Sequence, residues 1–170
     1  MAMSCPDADG IPATPGTYAL LLFCSRSKQL RLGALGAHPV SRGWYAYVGS
    51  AFGPGGLRAR CRRHLRPLRR HRWHIDYLRS AAALQGIWFT TDSVPREHRW
   101  VEIIGGLAGA SSPIRRFGSS DCTCPSHLFH FLSRPPFPIF RRQTLRRMPE
   151  HGPIMAFAAE ASRQVRRNAL

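Results

Sequence analysis

Two side chains in the stretch LRARCRRHLRPLRR, residues 57–70, fall where a merely solvated helix has no need of them. At about 100° per residue, Leu57, Cys61, Leu65 and Leu68 form one apolar stripe that must pack on other elements. Arg58, Arg62, Arg66 and Arg69 lie beside that stripe or opposite it, in water; with Arg63 and Arg70 they make an electropositive face, the candidate contact for a polyanion. His64 falls within the stripe and Arg60 on its edge. A guanidinium at the border of a buried seam is costly unless it has a partner or a task. Arginine forks onto phosphate oxygens at two points, so phosphate chemistry is the first candidate task. The structural alternative is Arg60 pairing with a backbone carbonyl or Asp76, with His64 a satisfied core histidine.

A second constellation is Cys122, Cys124, His127 and His130, spaced C-x-C-x2-H-x2-H. Structural zinc sites usually draw ligand pairs from two separated segments, often with C-x2-C. On a strand Cys122 and Cys124 would share a face while His127 and His130 point to opposite sides. Packing is therefore favoured over zinc here, with His127 beside the candidate cleft. In WHIDYL (73–78), Trp73, Ile75 and Leu78 read as core, and His74 and Asp76 as supports for a site.

The elements that must position these residues sit in a 170-residue chain, 44% hydrophobic and 10% aromatic, which suits one domain with a real core. Its net charge of +16 is unusual, and all of its 25 basic residues except Lys28 are arginine. A polyanion partner follows, nucleic acid being the commonest. No apolar run approaches a membrane span, and the first ten residues lack the regions of a secretory signal. Five cysteines argue against a disulfide scaffold and for a reducing compartment, the cytoplasm by default. A monomer is the default oligomeric state.

Strands are expected over 16–24, 30–35, 43–50 and 84–91, the first three as a largely antiparallel meander with AHPVSRG as a turn. In the third, Trp44, Ala46 and Val48 share one face and Tyr45 and Tyr47 the other. Helices are expected over 57–66, near 73–80, and from Pro95 to Gly105 or Gly109. Residues 114–132 read as a strand, a turn and a final strand. The fold class is thus α+β (α/β), spanning 14–133. Residues 134–170, proline-rich and then basic, read as an arm or tail with a possible helix over 154–167.

Gly16-Thr17-Tyr18, then Tyr47-Val48-Gly49, then Arg60 and His64 on the next helix resemble the GIY-YIG nuclease superfamily. YVGSAFGPGGLRARCRRHL, WHIDYL and FGSSDCTCPSHLF are most similar to one poorly characterised GIY-YIG-like family, found alone or fused to DNA-repair glycosylases. The resemblance covers roughly residues 14–132. It implies a small central antiparallel sheet flanked by helices, and metal-dependent cleavage of phosphodiesters with Mg2+ or Mn2+. It also implies roles. Tyr18 would be the general base or water-orienting phenol, with Tyr47 hydrogen-bonded to it. Arg60 would neutralise the charge developing on the phosphorane, His64 would support proton transfer, and a glutamate on the later helix would hold the metal.

For that glutamate the sequence offers two residues. Glu97 in EHRWV fits the family's pattern and lies on the side of the wheel with Trp100, Val101 and Ile104; Glu102, the alternative, faces away. A first-turn glutamate complementing the helix dipole is the structural reading of Glu97. Two departures stand out. Thr17 replaces the usual isoleucine, and FGSSDC occupies the place of a site-closing asparagine, leaving Ser120 and Asp121 as substitutes.

Hydrolysis of a phosphodiester needs a positioned water, a proton acceptor and cationic stabilisation. A tyrosine with a pKa near 10 meets the second need only if neighbouring cations stabilise its phenolate. The leading expectation is a metal-dependent endonuclease acting on DNA rather than RNA, in repair or processing. The alternatives are a non-catalytic nucleic-acid-binding module of the same fold, an RNA-processing nuclease, and a domain docking on an acidic protein.

Overall fold

A computed structural model describes residues 8–159. The chain is a mixed α/β fold in which four helices flank a five-stranded antiparallel sheet of order β6-β4-β1-β5-β7. The strands are β1 Thr17–Cys24, β4 Gly43–Ser50, β5 Ala83–Thr90, β6 Leu128–Phe131 and β7 Ile154–Ala158. A separate hairpin pairs β2 Lys28–Arg31 with β3 Ala37–Val40. The helices are α1 Gly56–Leu65, α2 His74–Arg79, α3 Glu97–Gly105 and α4 Phe137–Arg147. None of them is long and apolar enough to cross a membrane.

Strand β1 lies at the centre, which explains why YALLLFC has no polar alternation: both of its faces are buried. Tyr18, Leu20 and Leu22 join one core with Leu57 and Cys61 of α1 and Ile75 and Leu78 of α2. Ala19 and Leu21 join a second core with Trp100, Val101 and Ile104 of α3 and Phe140 of α4. The expected split of β4 holds, with Ala46 and Val48 in the second core and Tyr45 and Tyr47 in or against the first. Burying each of the leucines contributes about 1.5–3 kcal/mol.

Several expectations are corrected. The meander does not form: β1 pairs with β4 and β5, and the 28–40 segment folds back on itself. AHPV, read as part of a turn, is strand β3, and residues 33–35 form a 3-10 turn instead of strand. Pro39 fits there because its missing N–H falls in a two-stranded ribbon with free edges. Residues 114–117 are not a strand. Ile114 and Phe117, three apart, both plug the first core from a turn in which Arg116 adopts φ 61°.

The largest correction lies beyond residue 133. Helix α4 buries Phe140 in the second core, and β7 pairs with β5 along its length. Through residue 159 this segment belongs to the domain, so the expected boundary at 133/134 does not separate a tail. The helix expected at 154–167 begins as a strand because Ile154 enters the second core while Met155 and Phe157 pack against the first, and its backbone completes the open edge of β5. Its remainder, from residue 160, lies outside the described residues.

Candidate functional site

Strand β1 and helix α1 bring Tyr18 and His64 together. The Tyr18 hydroxyl lies 3.0 Å from His64 Nε2, and both side chains are buried. The bond expected between Tyr18 and Tyr47 is thus replaced by one to His64. Space for the phenol comes from Gly49, directly opposite Tyr18 in the β1–β4 register: a Cβ there would sit 2.5 Å from Tyr18 Cζ. The glycine of YVG is therefore a steric requirement of the tyrosine of GTY. Helix α1 needs a close approach of its own, because a Cβ at Gly56 would collide with the Thr14 carbonyl.

Burial holds the Tyr18 hydroxyl well above the usual tyrosine range, and the nearby Tyr47 and Cys61 add to this; the Arg60 cation pulls the other way and Glu97 pushes up. Burial likewise raises Tyr47, helped by Glu97 and Asp76 and opposed by Arg60 and Arg63. His64 is lowered to about 3 by burial and by the Arg79 and Arg63 charges. Tyr18 and His64 are consequently both neutral at pH 7, and a resting phenolate at Tyr18 is disfavoured. Tyr18, Tyr47, Arg60, His64 and Glu97 lie in one neighbourhood, close enough for the charges of Arg60 and Glu97 to act on both phenols.

Arg60 is half-buried, its guanidinium 4.8 Å from the centre of the Trp73 ring. Arg63 lies 3.8 Å from the same ring and forks onto Asp76 at 2.9 and 2.6 Å. The Asp76 carboxylate also accepts the backbone N–H groups of Arg72 and Trp73, closing the first turn of α2. Burial pushes the Asp76 carboxyl up, but the Arg63 and backbone bonds outweigh it and hold the pKa at about 2. The partner foreseen for Arg60 is therefore Arg63's. Arg63 is correspondingly a braced side chain more than a solvated one, and Arg60 has no ion pair among the described residues. His74 Nδ1 accepts the Gly118 N–H at 3.1 Å, tying α2 to the loop before β6.

Glu97 opens α3, and Oε1 of its partly exposed carboxylate lies 3.2 Å from His127 Nδ1. Glu102 is exposed and pairs with Arg99 at 2.9 Å, on the outside of the helix. The start of α3 is set by Thr17, Asp92, Arg96 and Glu150, of which only Thr17 lies in a sequence motif. Thr17, buried beside Tyr18 on β1, accepts the backbone N–H of Arg96 at 3.1 Å. The Arg96 guanidinium in turn bonds Asp92 at 2.8 Å and Glu150 at 3.0 Å. Thr17, in place of an isoleucine, is thus the link between the tyrosine strand and the glutamate helix. Ser120 and Asp121 are exposed, whereas Ser119 is buried with its hydroxyl unpartnered.

Among the described residues, the cysteines take part in a cluster that could hold a metal ion. His98, Cys122, Cys124 and His127 offer ligand atoms that all lie within 4.8 Å of one another. His98 takes the place foreseen for His130, whose Nε2 lies 3.0 Å from the Arg42 carbonyl. Two thiols and two imidazoles suit zinc better than Mg2+ or Mn2+. His98 could not be paired with the cysteines from spacing, since it comes from α3 and they come from a loop more than twenty residues later.

On the outer side of α1, Arg58, Arg62, Arg66, Arg69 and Arg70, with Arg63, line a groove of about 1050 Å³. Arg72 and Arg79 complete it, and no acidic side chain lines it. Arg58 is partly committed, donating from Nε to the Ile11 carbonyl at 2.9 Å.

No curated protein matches the chain, and no solved structure matches it. A family profile does match, over residues 17–148, from the first residue of β1 to the end of α4. That span takes in Tyr18, Tyr47, Arg60, His64, Glu97 and the His98, Cys122, Cys124 and His127 cluster, and the chain belongs to the family described as Domain of unknown function DUF123.

Proposed function

We propose that the protein is a metal-dependent endonuclease of the GIY-YIG type that hydrolyses nucleic-acid phosphodiesters, DNA in preference to RNA, in repair or processing. The observation that carries this reading is the convergence on Tyr18: a neutral imidazole at 3.0 Å, with a guanidinium from α1 and a carboxylate from α3 acting on the same hydroxyl.

A divalent cation fits Glu97 by its donors. Oε1 faces His127, and the second oxygen carries no bond among the described residues. Mg2+ and Mn2+ are commonly held by one or two carboxylates, with waters and substrate phosphate completing the shell. When bound, such an ion supplies Lewis-acid polarisation of the phosphate and a more acidic water. The chain's own residues supply the rest. The Tyr18 phenol, neutral and held by its hydrogen bond to His64 Nε2, orients the attacking water, whose proton leaves to solvent. Arg60, held over Trp73 without a competing carboxylate, neutralises charge on the pentavalent phosphorus. Tyr47 lies within the electrostatic reach of Glu97 and Arg60. The arginine groove on α1 holds the flanking phosphates.

The test is incubation with single-stranded, double-stranded, branched and lesion-bearing DNA, and with RNA, in Mg2+ or Mn2+. Cleavage is expected for at least one DNA, abolished by Glu97→Ala. Cleavage that survives Glu97→Ala overturns the assignment of the carboxylate. The arginine groove by itself also favours a second reading, a non-catalytic nucleic-acid-binding module of the same fold. Tight, salt-sensitive DNA binding without cleavage in either metal would support it.

A further inference from the structure

We propose that His98, Cys122, Cys124 and His127 bind one Zn2+ in a closed, tetrahedral, structural site. Three of these ligands come from the loop before β6 and the fourth from the first turn of α3, so the set draws on two separated segments as structural zinc sites do. Their ligand atoms already lie within 4.8 Å of one another, with Cys122 Sγ 3.2 Å from His127 Nε2. Zn–S bonds of about 2.3 Å and Zn–N bonds of about 2.0 Å require only a modest further closing, which the exposed His98 ring is free to make.

The two nitrogens of His127 support the same conclusion. Nε2 faces the cysteines, and Nδ1, buried and without a hydrogen-bond partner, lies 3.2 Å from Glu97 Oε1. An imidazole that gives one nitrogen to a metal and turns the other N–H to a carboxylate is the usual outer-shell arrangement of a zinc histidine. On binding, Cys122 and Cys124 each release a proton to solvent and both imidazoles bind as neutral ligands, so two thiolate charges cancel the ion's. The site leaves no open position for substrate. Its work is to fasten a loop that has only turns and bends between residues 116 and 127 to the helix that carries Glu97.

Protein produced without added metal and purified in metal-depleted buffer should contain about one zinc per chain by elemental mass spectrometry. The Cys122→Ser/Cys124→Ser double variant and His98→Ala should lose most of it, and His130→Ala should keep it. Replacement by Co2+ in the parent protein, which requires no variant to fold, should give intense visible bands of a tetrahedral ion and a thiolate charge-transfer band. Protein without zinc and without those bands overturns the site, as does a Cys122–Cys124 disulfide in protein that never took up metal. Zinc lost in His130→Ala but kept in His98→Ala overturns the ligand set. None of these measurements involves nucleic acid, so the zinc site and the nuclease reading stand or fall separately.

Discussion

Thr17 Oγ1 accepts the backbone N–H of Arg96 at 3.1 Å, and the next residue along the chain from each partner is a site residue, Tyr18 on one side and Glu97 on the other. One hydrogen bond, with its acceptor fully buried, therefore sets the spacing between the phenol and the carboxylate. Thr17→Val keeps the branched shape and strands the Arg96 N–H. The expected cost is about 1–3 kcal/mol in urea denaturation, with a larger proportional loss in any Glu97-dependent activity. Unchanged stability would show that the N–H finds another acceptor.

Gly49→Ala should be more damaging than an alanine usually is in a strand. Its Cβ would meet Tyr18 Cζ at 2.5 Å, and Tyr18 is boxed in by the first core and cannot swing aside. Overpacking of this kind costs about 1–3 kcal/mol. The Tyr18–His64 bond should break with it, visible as altered near-ultraviolet tyrosine dichroism.

Arg60→Ala and the groove arginines should separate catalysis from binding. Arg60→Ala is expected to lower turnover by about 10²-fold or more and to leave DNA affinity nearly intact. Arg66→Ala and Arg70→Ala, on the exposed side, should weaken binding to all sequences and each reduce the salt slope by about one. Equal turnover in Arg60→Ala and parent would remove that arginine from the site.

His64 gives the stability a pH dependence of known sign. Its folded pKa of about 3 lies below the unfolded value near 6.5, so between those pH values the unfolded chain binds the extra proton. Its contribution is complete above about pH 6.5 and is lost as pH falls toward 3. The parent should lose stability across this window more steeply than His64→Gln, as read from urea midpoints at a series of pH values. Parallel curves would refute the buried neutral imidazole.

Asp76 acts in a lower window. With a folded pKa of about 2 against an unfolded value near 3.9, its contribution is present above pH 4 and is lost as pH falls through 2. Asp76→Ala should cost about 3 kcal/mol at pH 7, the low end for a broken buried pair because Arg63 keeps 29% exposure. The gap between variant and parent should close near pH 2.

Local pattern is enough to read β1, β4, β5, α1, α2 and α3 within a few residues. Each carries its own periodicity or its own glycine and proline punctuation, and those are properties of the chain in one dimension. The alternation along β4 is sufficient to put Tyr45 and Tyr47 on one face, and the wheel of α1 to put His64 inside and Arg60 at the edge. Proximity between distant segments is not written in any local period. The hydroxyl that bonds Thr17 to Arg96, the grip of Asp76 on Arg63 rather than Arg60, and the entry of His98 into the cysteine cluster depend on how helices seat on opposite faces of one sheet. The same holds for β7, which reads as a helix by composition and becomes a strand because the free edge of β5 offers its backbone a ladder. The sequence by itself determined which residue types face inward and that the chain carries a large excess of arginine charge. Only the tertiary structure decided which of those residues touch, because such contacts are chosen by packing across tens of residues of intervening chain.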